Sequence, residues 1–269
     1  MLSYRKLAMR VLGRPLNTGV GIDSPRPASQ RAAAFILTAA MLTTLAAPAF
    51  AGTWYIEDGN ITISAGTEAG TNKVEQAGKD TVDNDKDTII TNQNKDTASS
   101  NTVTIDAGSD KVEVTLQDVN IKADSGSALT SKGDVTLTLK GDNHLTGGIS
   151  GTGNYGRNGI ASTGSLTISG GENDSLTAQG GSGADGSYGG HGIYSNGSLT
   201  ISGGTVNATG GDGSNVNGSG ISSNGSVTIS GGTVNATGGN GSHGGNGIYR
   251  QVVPCRRKSV NAKGRTEKS

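Results

Sequence analysis

Short alternations of apolar and polar residues recur along this chain at a nearly fixed step. Leu199-Thr200-Ile201 and Val206-Asn207-Ala208 each place apolar residues two apart, and Gly203-Gly204 separates the runs. Alternation of this kind puts Leu199 and Ile201 on one face of a strand and Thr200 on the other. The same lines return as Val227-Thr228-Ile229 and Val234-Asn235-Ala236, and more loosely as Leu166-Thr167-Ile168 and Leu176-Thr177-Ala178. Gly-Ile pairs open the copies at 159, 192, 220 and 247, giving steps of 33, 28 and 27 residues. A repeat of that length marks stacked units, none of which buries its apolar face alone. The runs are too short, and glycine too frequent, for helices. Two or three short strands per repeat, turning at Gly and Asn-Gly, predict an all-β fold in which each repeat is one coil of a single-stranded parallel β-helix, a solenoid.

Equivalent residues of successive coils then stack about 4.8 Å apart. Leu166, Leu199 and Val227 are expected in one internal column, Ile168, Ile201 and Ile229 in the next, and Leu176, Val206 and Val234 in a third. The variable segments 182–191, 212–219 and 240–246 become Gly-rich loops along one side. Upstream, the alternation is present but carries charge, as in Val112-Glu113-Val114-Thr115-Leu116 and Val135-Thr136-Leu137-Thr138-Leu139. The β-helix repeats are therefore assigned to 101–249. Residues 52–100 are expected to form an N-terminal cap, with 52–65 contributing a first coil, followed by a polar, acidic linker or loop.

Both ends differ from this body. Residues 1–51 combine Arg5, Lys6, Arg10, Arg14, Arg26 and Arg31 with an uncharged apolar run at 32–47 and an Ala49-Phe50-Ala51 cleavage pattern, which predicts a signal peptide. The run is 16 residues, shorter than a spanning helix, so no integral membrane segment is expected after cleavage. Residues 250–269 break the pattern with seven Lys or Arg against Glu267 alone, and hold the single cysteine, Cys255. This stretch reads as an atypical basic tail, from a frameshifted or truncated reading frame. One cysteine in an exported chain excludes an internal disulfide.

Composition narrows the chemistry. Glycine is 46 of 269 residues and aromatics only 3%, so the core must be thin and filled by Val, Ile, Leu and Ala. The formal charge of zero hides an acidic body: residues 52–249 hold nine Lys or Arg against twenty Asp or Glu. That balance argues against a nucleic-acid partner. Arg157 is the only arginine between leader and tail, and His144, His191 and His243 have no metal or triad spacing. A hard, oxygen-seeking cation suits an exported acidic solenoid better, and calcium is the expected cofactor. Its candidate ligands are Asp106, Asp110, Asp118, Asp124, Asp134 and Asp142, concentrated where coils would stack. The stretch from Gly180 to Asp185 also matches the opening of the calcium-binding nonapeptide GGxGxDxUx, with Ser187 in place of the apolar residue.

Residues 112–121, the stretch from Ser127-Ala128-Leu129 to Thr146-Gly147-Gly148, and the recurrent G-I-x-S-x-G-S-[LV]-T-I-S-G-G line resemble a family of secreted bacterial β-helix proteins described as carbohydrate-binding domain-containing. The resemblance implies a right-handed, pectate-lyase-like parallel β-helix that binds acidic plant polysaccharide such as polygalacturonate, with calcium bridging carboxylates on both sides. It transfers no ligand residue by residue. The expected function is thus an exported, non-catalytic carbohydrate-binding monomer, secreted or held at the cell surface. The alternatives are a structural or adhesin-like surface protein without glycan specificity, and a polysaccharide lyase or hydrolase.

Overall fold

The computed structural model describes residues 52–150, 155–184, 187–241, 243–249, 252–254 and 259–263. The expected signal peptide lies outside them. The described residues are all-β apart from one 3-10 turn at Ile56–Asp58.

Three strands recur in each glycine-rich repeat. The first contributes β10 (Ile160–Ser162), β11 (Leu166–Gly170) and β12 (Ser175–Gln179). The second contributes β13 (Ile193–Ser195), β14 (Leu199–Ile201) and β15 (Thr205–Thr209). The third contributes β16 (Ile221–Ser223), β17 (Val227–Ile229) and β18 (Thr233–Thr237). Each strand pairs in parallel with its counterpart one repeat away, residue for residue. Leu166, Leu199 and Val227 face one another, as do Ile168, Ile201 and Ile229. Leu176, Val206 and Val234 form the third column. All nine are buried. Each such side chain contributes about 1.5–3 kcal/mol through removal from water.

Before these repeats the chain runs in longer strands: β6 (Val103–Gln117), β7 (Asn120–Lys122), β8 (Leu129–Lys140) and β9 (Asp142–Thr146). β8 pairs with β10 through its first residues and with β11 through its later ones, so it joins two arms of a 15-stranded sheet. The separate six-stranded sheet contains β7, β9, β12, β15 and β18 in that spatial order. In later repeats the long strand breaks in two, and a buried serine sits at the break. Ser162, Ser195 and Ser223 donate to the carbonyls of Gly164, Gly197 and Gly225 at 3.1, 3.0 and 3.2 Å. A hydroxyl in the inward position thereby satisfies a turn carbonyl that no strand pairs.

The 66–100 stretch, expected as linker or loop, contains strands. These are β3 (Asn72–Gln76), β4 (Val82–Asp85) and β5 (Ile89–Thr91), preceded by β1 (Thr53–Tyr55) and β2 (Ile61–Ala65). β3 lies antiparallel to both β2 and β4, whereas β5 joins β1 and β6 in parallel. Polar residues take the inward positions here. Asn72 donates to Thr88 Oγ1 and the Glu113 carbonyl at 2.9 and 2.7 Å, and Gln76 to the Tyr55 and Gly59 carbonyls at 2.7 and 3.0 Å. Buried Asp85 accepts from the Gly52 amide at 2.7 Å and from Trp54 Nε1 at 3.0 Å. Parallel pairing also continues past Tyr249. β19 (Ile248–Tyr249), β20 (Val252–Pro254) and β21 (Ser259–Lys263) extend the three ladders, with Val260, Asn261 and Ala262 opposite Val234, Asn235 and Ala236.

Glycine is demanded where the loops stack. The Gly218 amide donates to the Gly211 carbonyl at 2.9 Å, and the Gly239 amide to the Gly218 carbonyl at 2.8 Å. A Cβ on Gly218 would overlap the Gly190 carbonyl, so no other residue permits this approach.

Candidate functional site

The outer face of the six-stranded sheet is polar throughout. Its inward positions hold Leu145, Leu176, Ala178, Val206 and Ala208, which forces the alternate residues outward. On β7 and β9 these are Asn120, Lys122, Asp142, His144 and Thr146; on β12, β15 and β18 they are Ser, Thr, Asn and Gln. Asn235 Nδ2 donates to Asn207 Oδ1 at 2.9 Å, an amide ladder between adjacent strands.

Two open clefts on this face share Lys122 and Thr146. The first, about 420 Å³, is also lined by Lys95, Asp96, Asn120, Asp142 and His144. The second, about 540 Å³, is lined further by Asp124, Ile149, Gln179 and Ser182. Lys122, Asp124, Asp142 and His144 are all exposed, so a ligand on this face meets cationic and anionic groups together.

The candidate aspartates fall into different settings. Asp106 accepts from the Gly108 amide at 3.0 Å and pairs with Lys132 Nζ at 3.1 Å. The amide first, and the ammonium second, hold its carboxyl below the usual range. Asp134 stands opposite Lys111 in the β6–β8 register. Asp110 lines a separate cleft of about 500 Å³ with Lys86, Lys111 and Glu113. Lys111 lies 2.6 Å from Glu113, whose hydrogen bond and charge raise its ammonium above the ordinary value. Asp118 adopts a positive φ of 51° and accepts from the Asp142 amide at 3.1 Å, so these two come together at a turn. Asp142 in turn accepts from Ser175 Oγ at 2.7 Å. Asp124 is exposed and lines the larger cleft. Among the described residues, no three His, Cys, Asp or Glu side chains gather closely enough to hold a metal ion by themselves. Asp185, the acid of the nonapeptide-like stretch, lies outside the described residues.

Beyond Ile149 the large cleft borders a ledge of exposed apolar side chains. Ile149 bridges to Gly156, and the Gly156 amide donates to the Tyr188 carbonyl at 2.8 Å. Tyr155 and Tyr188 are each 44% exposed, with ring centroids 5.4 Å apart and planes inclined by 36°. Tyr188 bridges in parallel to Val216, itself 45% exposed. Residue-type reasoning did not single out Lys122 or Tyr155. Residue type alone offers Tyr188, with Tyr194 and Tyr249, for stacking on a sugar; the signal for the rest of the ledge was positional, since Tyr155, Tyr188, Val216 and His243 all stand four residues before the glycine of a Gly-Ile pair.

The described residues therefore define an all-β repeat protein with long parallel sheets and a polar outer face. No family model, curated protein or solved structure matches the chain. No helix among the described residues is long and apolar enough to cross a membrane.

Proposed function

We propose that this chain is an exported, non-catalytic carbohydrate-binding protein of the cell surface or the surrounding medium. Its repeats would wind as coils of a right-handed parallel β-helix of the pectate-lyase kind. Its ligand would be an acidic, pectin-like polysaccharide laid on the outer face of the six-stranded sheet. The observation that carries this reading is the pair of open clefts meeting at Lys122 and Thr146 on one sheet face. An extended polymer needs a long, open, polar surface rather than an enclosed pocket, and Asn, Gln and Thr side chains supply hydrogen bonds without a charge to bury.

Calcium enters as a shared ion. Asp124 and Asp142 each line one of the clefts, whereas Asp106 is engaged by Lys132. One protein carboxylate at a time, completed by uronate carboxylates and water, suits a cation that takes six to eight oxygen ligands. Retardation of the full chain in native gels containing polygalacturonate, with calcium and then with chelator, tests this. Calcium-dependent retardation that weakens in Asp124→Asn and Asp142→Asn is expected. Unretarded migration on acidic and neutral glycans alike would overturn the proposal.

One observation favours a second reading, a structural or adhesin-like surface protein. On β15 and β18 the outward residues are Thr and Asn alone, an uncharged surface repeated without change. The same gels decide between the two.

A further inference from the structure

We infer that the column formed by Tyr155, Tyr188 and Val216 is a stacking ledge for the C–H faces of pyranose rings in the polysaccharide held by the neighbouring cleft. The inference deepens the glycan-binding reading and rests on it.

The ledge and the cleft are neighbours through paired backbone. Ile149 belongs to the lining of the large cleft and bridges to Gly156, the residue after Tyr155. Gly181, on the same lining, donates its amide to the Arg157 carbonyl at 2.7 Å and accepts from the Gly190 amide at 2.9 Å. The backbone that carries Tyr155 is therefore hydrogen-bonded directly to the backbone that lines the cleft.

The chemistry of the ledge selects its occupant. Exposed aromatic rings are costly to hydrate, and phenols combine an apolar face with a hydroxyl that bonds to polar groups. A pyranose ring has the matching form, C–H groups on its face and hydroxyls at its edge. Two tilted rings and a valine, one per repeat, make a strip rather than a broad patch. Glycines 156, 189, 190 and 218 flank that strip and offer no side chains to enlarge it. A stable protein interface buries about 1,200–2,000 Å² in total, far more than such a strip presents. A thin polymer extended along the stacking direction meets the column side chain after side chain. The bridge from Tyr188 to Val216 fixes the register of the second ring on the valine.

Affinity electrophoresis of the full chain through polygalacturonate, and separately through neutral β-1,4-galactan, tests the ledge. Tyr155→Ala and Tyr188→Ala should each weaken retardation about threefold to tenfold. Tyr188→Phe should retain most of it, because the ring face remains. Tyr188→Leu keeps apolar bulk without a ring and should behave like the alanine variant. Both side chains stand at the surface, so thermal melts of these variants should stay close to wild type. If wild type is retarded and all ring-removing variants are retarded equally, the ledge is overturned and the cleft reading stands. If wild type is retarded by neither glycan, both fall together.

Discussion

His191 is the residue in which environment and titration are most closely tied. Its Nδ1 accepts the Ser219 amide at 2.9 Å, which leaves the proton of the neutral ring on Nε2, and the ring stacks on Tyr194 with centroids 5.8 Å apart. Burial pushes its pKa below the ordinary histidine value. The unfolded chain therefore takes up a proton at a pH where the folded chain still resists it. Stability from this site is complete above the unfolded value, about 6.5, and is lost as pH falls through the depressed folded value. Thermal melts at pH 7, 6 and 5 should show wild type losing more stability than His191→Gln over that interval. Parallel pH dependence in the two proteins would show that the site does not contribute. The residue type and its place before a Gly-Ile pair were visible in the sequence. Its partner, an amide 28 positions away, was not, because only the stacking of one loop on the next brings them together.

Among the elements, β14 shows what period-two alternation encodes. Leu199 and Ile201 are buried with neighbours on both sides in the ladder, while Thr200 faces outward. Leu199→Ala should cost about 2–5 kcal/mol, whereas Thr200→Ala at an outward position should stay within about 1 kcal/mol. Urea unfolding midpoints measure both, and equal shifts would contradict the assignment of faces. Strands of this kind were legible because their inward positions are aliphatic. β3 was not, because Asn72 and Gln76 occupy inward positions and look, as letters, like loop residues. Their amides replace apolar contact with bonds to carbonyls that would otherwise be unpaired. β21 was hidden for another reason. Val260-Asn261-Ala262 repeats the earlier triplet, but the glycine pair that precedes the other copies is replaced by Arg257-Lys258. The clefts were only half legible, since Asp124 and Asp142 stood out as acids while Lys122 matters through the strands beside it.

Across the whole molecule the two ends of the ladder are unequal. β6 and β8 pair along both of their halves, with Val, Leu and Ile in most inward positions and Ala107 and Ser131 in the others. In the later repeats the strands shorten to three or five residues, and the column that begins with Leu145 continues as Ala178, Ala208 and Ala236. Less apolar area per repeat means weaker coupling between neighbours, and in stacked repeats stability is a sum of such local terms. Urea should therefore unfold the glycine-rich repeats before the N-terminal strands. Trp54, the only tryptophan, is buried in β1 and reports that end alone. Far-UV circular dichroism should lose amplitude at lower urea than Trp54 fluorescence, and coincident curves would show a single cooperative unit instead. The residue-for-residue register has one more consequence, for heredity rather than stability. A repeat such as 192–219 offers the next one the same partners that it receives from the one before. An extra copy inserted in frame, or one removed, leaves every remaining ladder matched. Two nearly identical neighbours are also the stretches that slip against each other when a gene is copied. Length is then the property of this chain that lineages can change in a single step, in whole repeats.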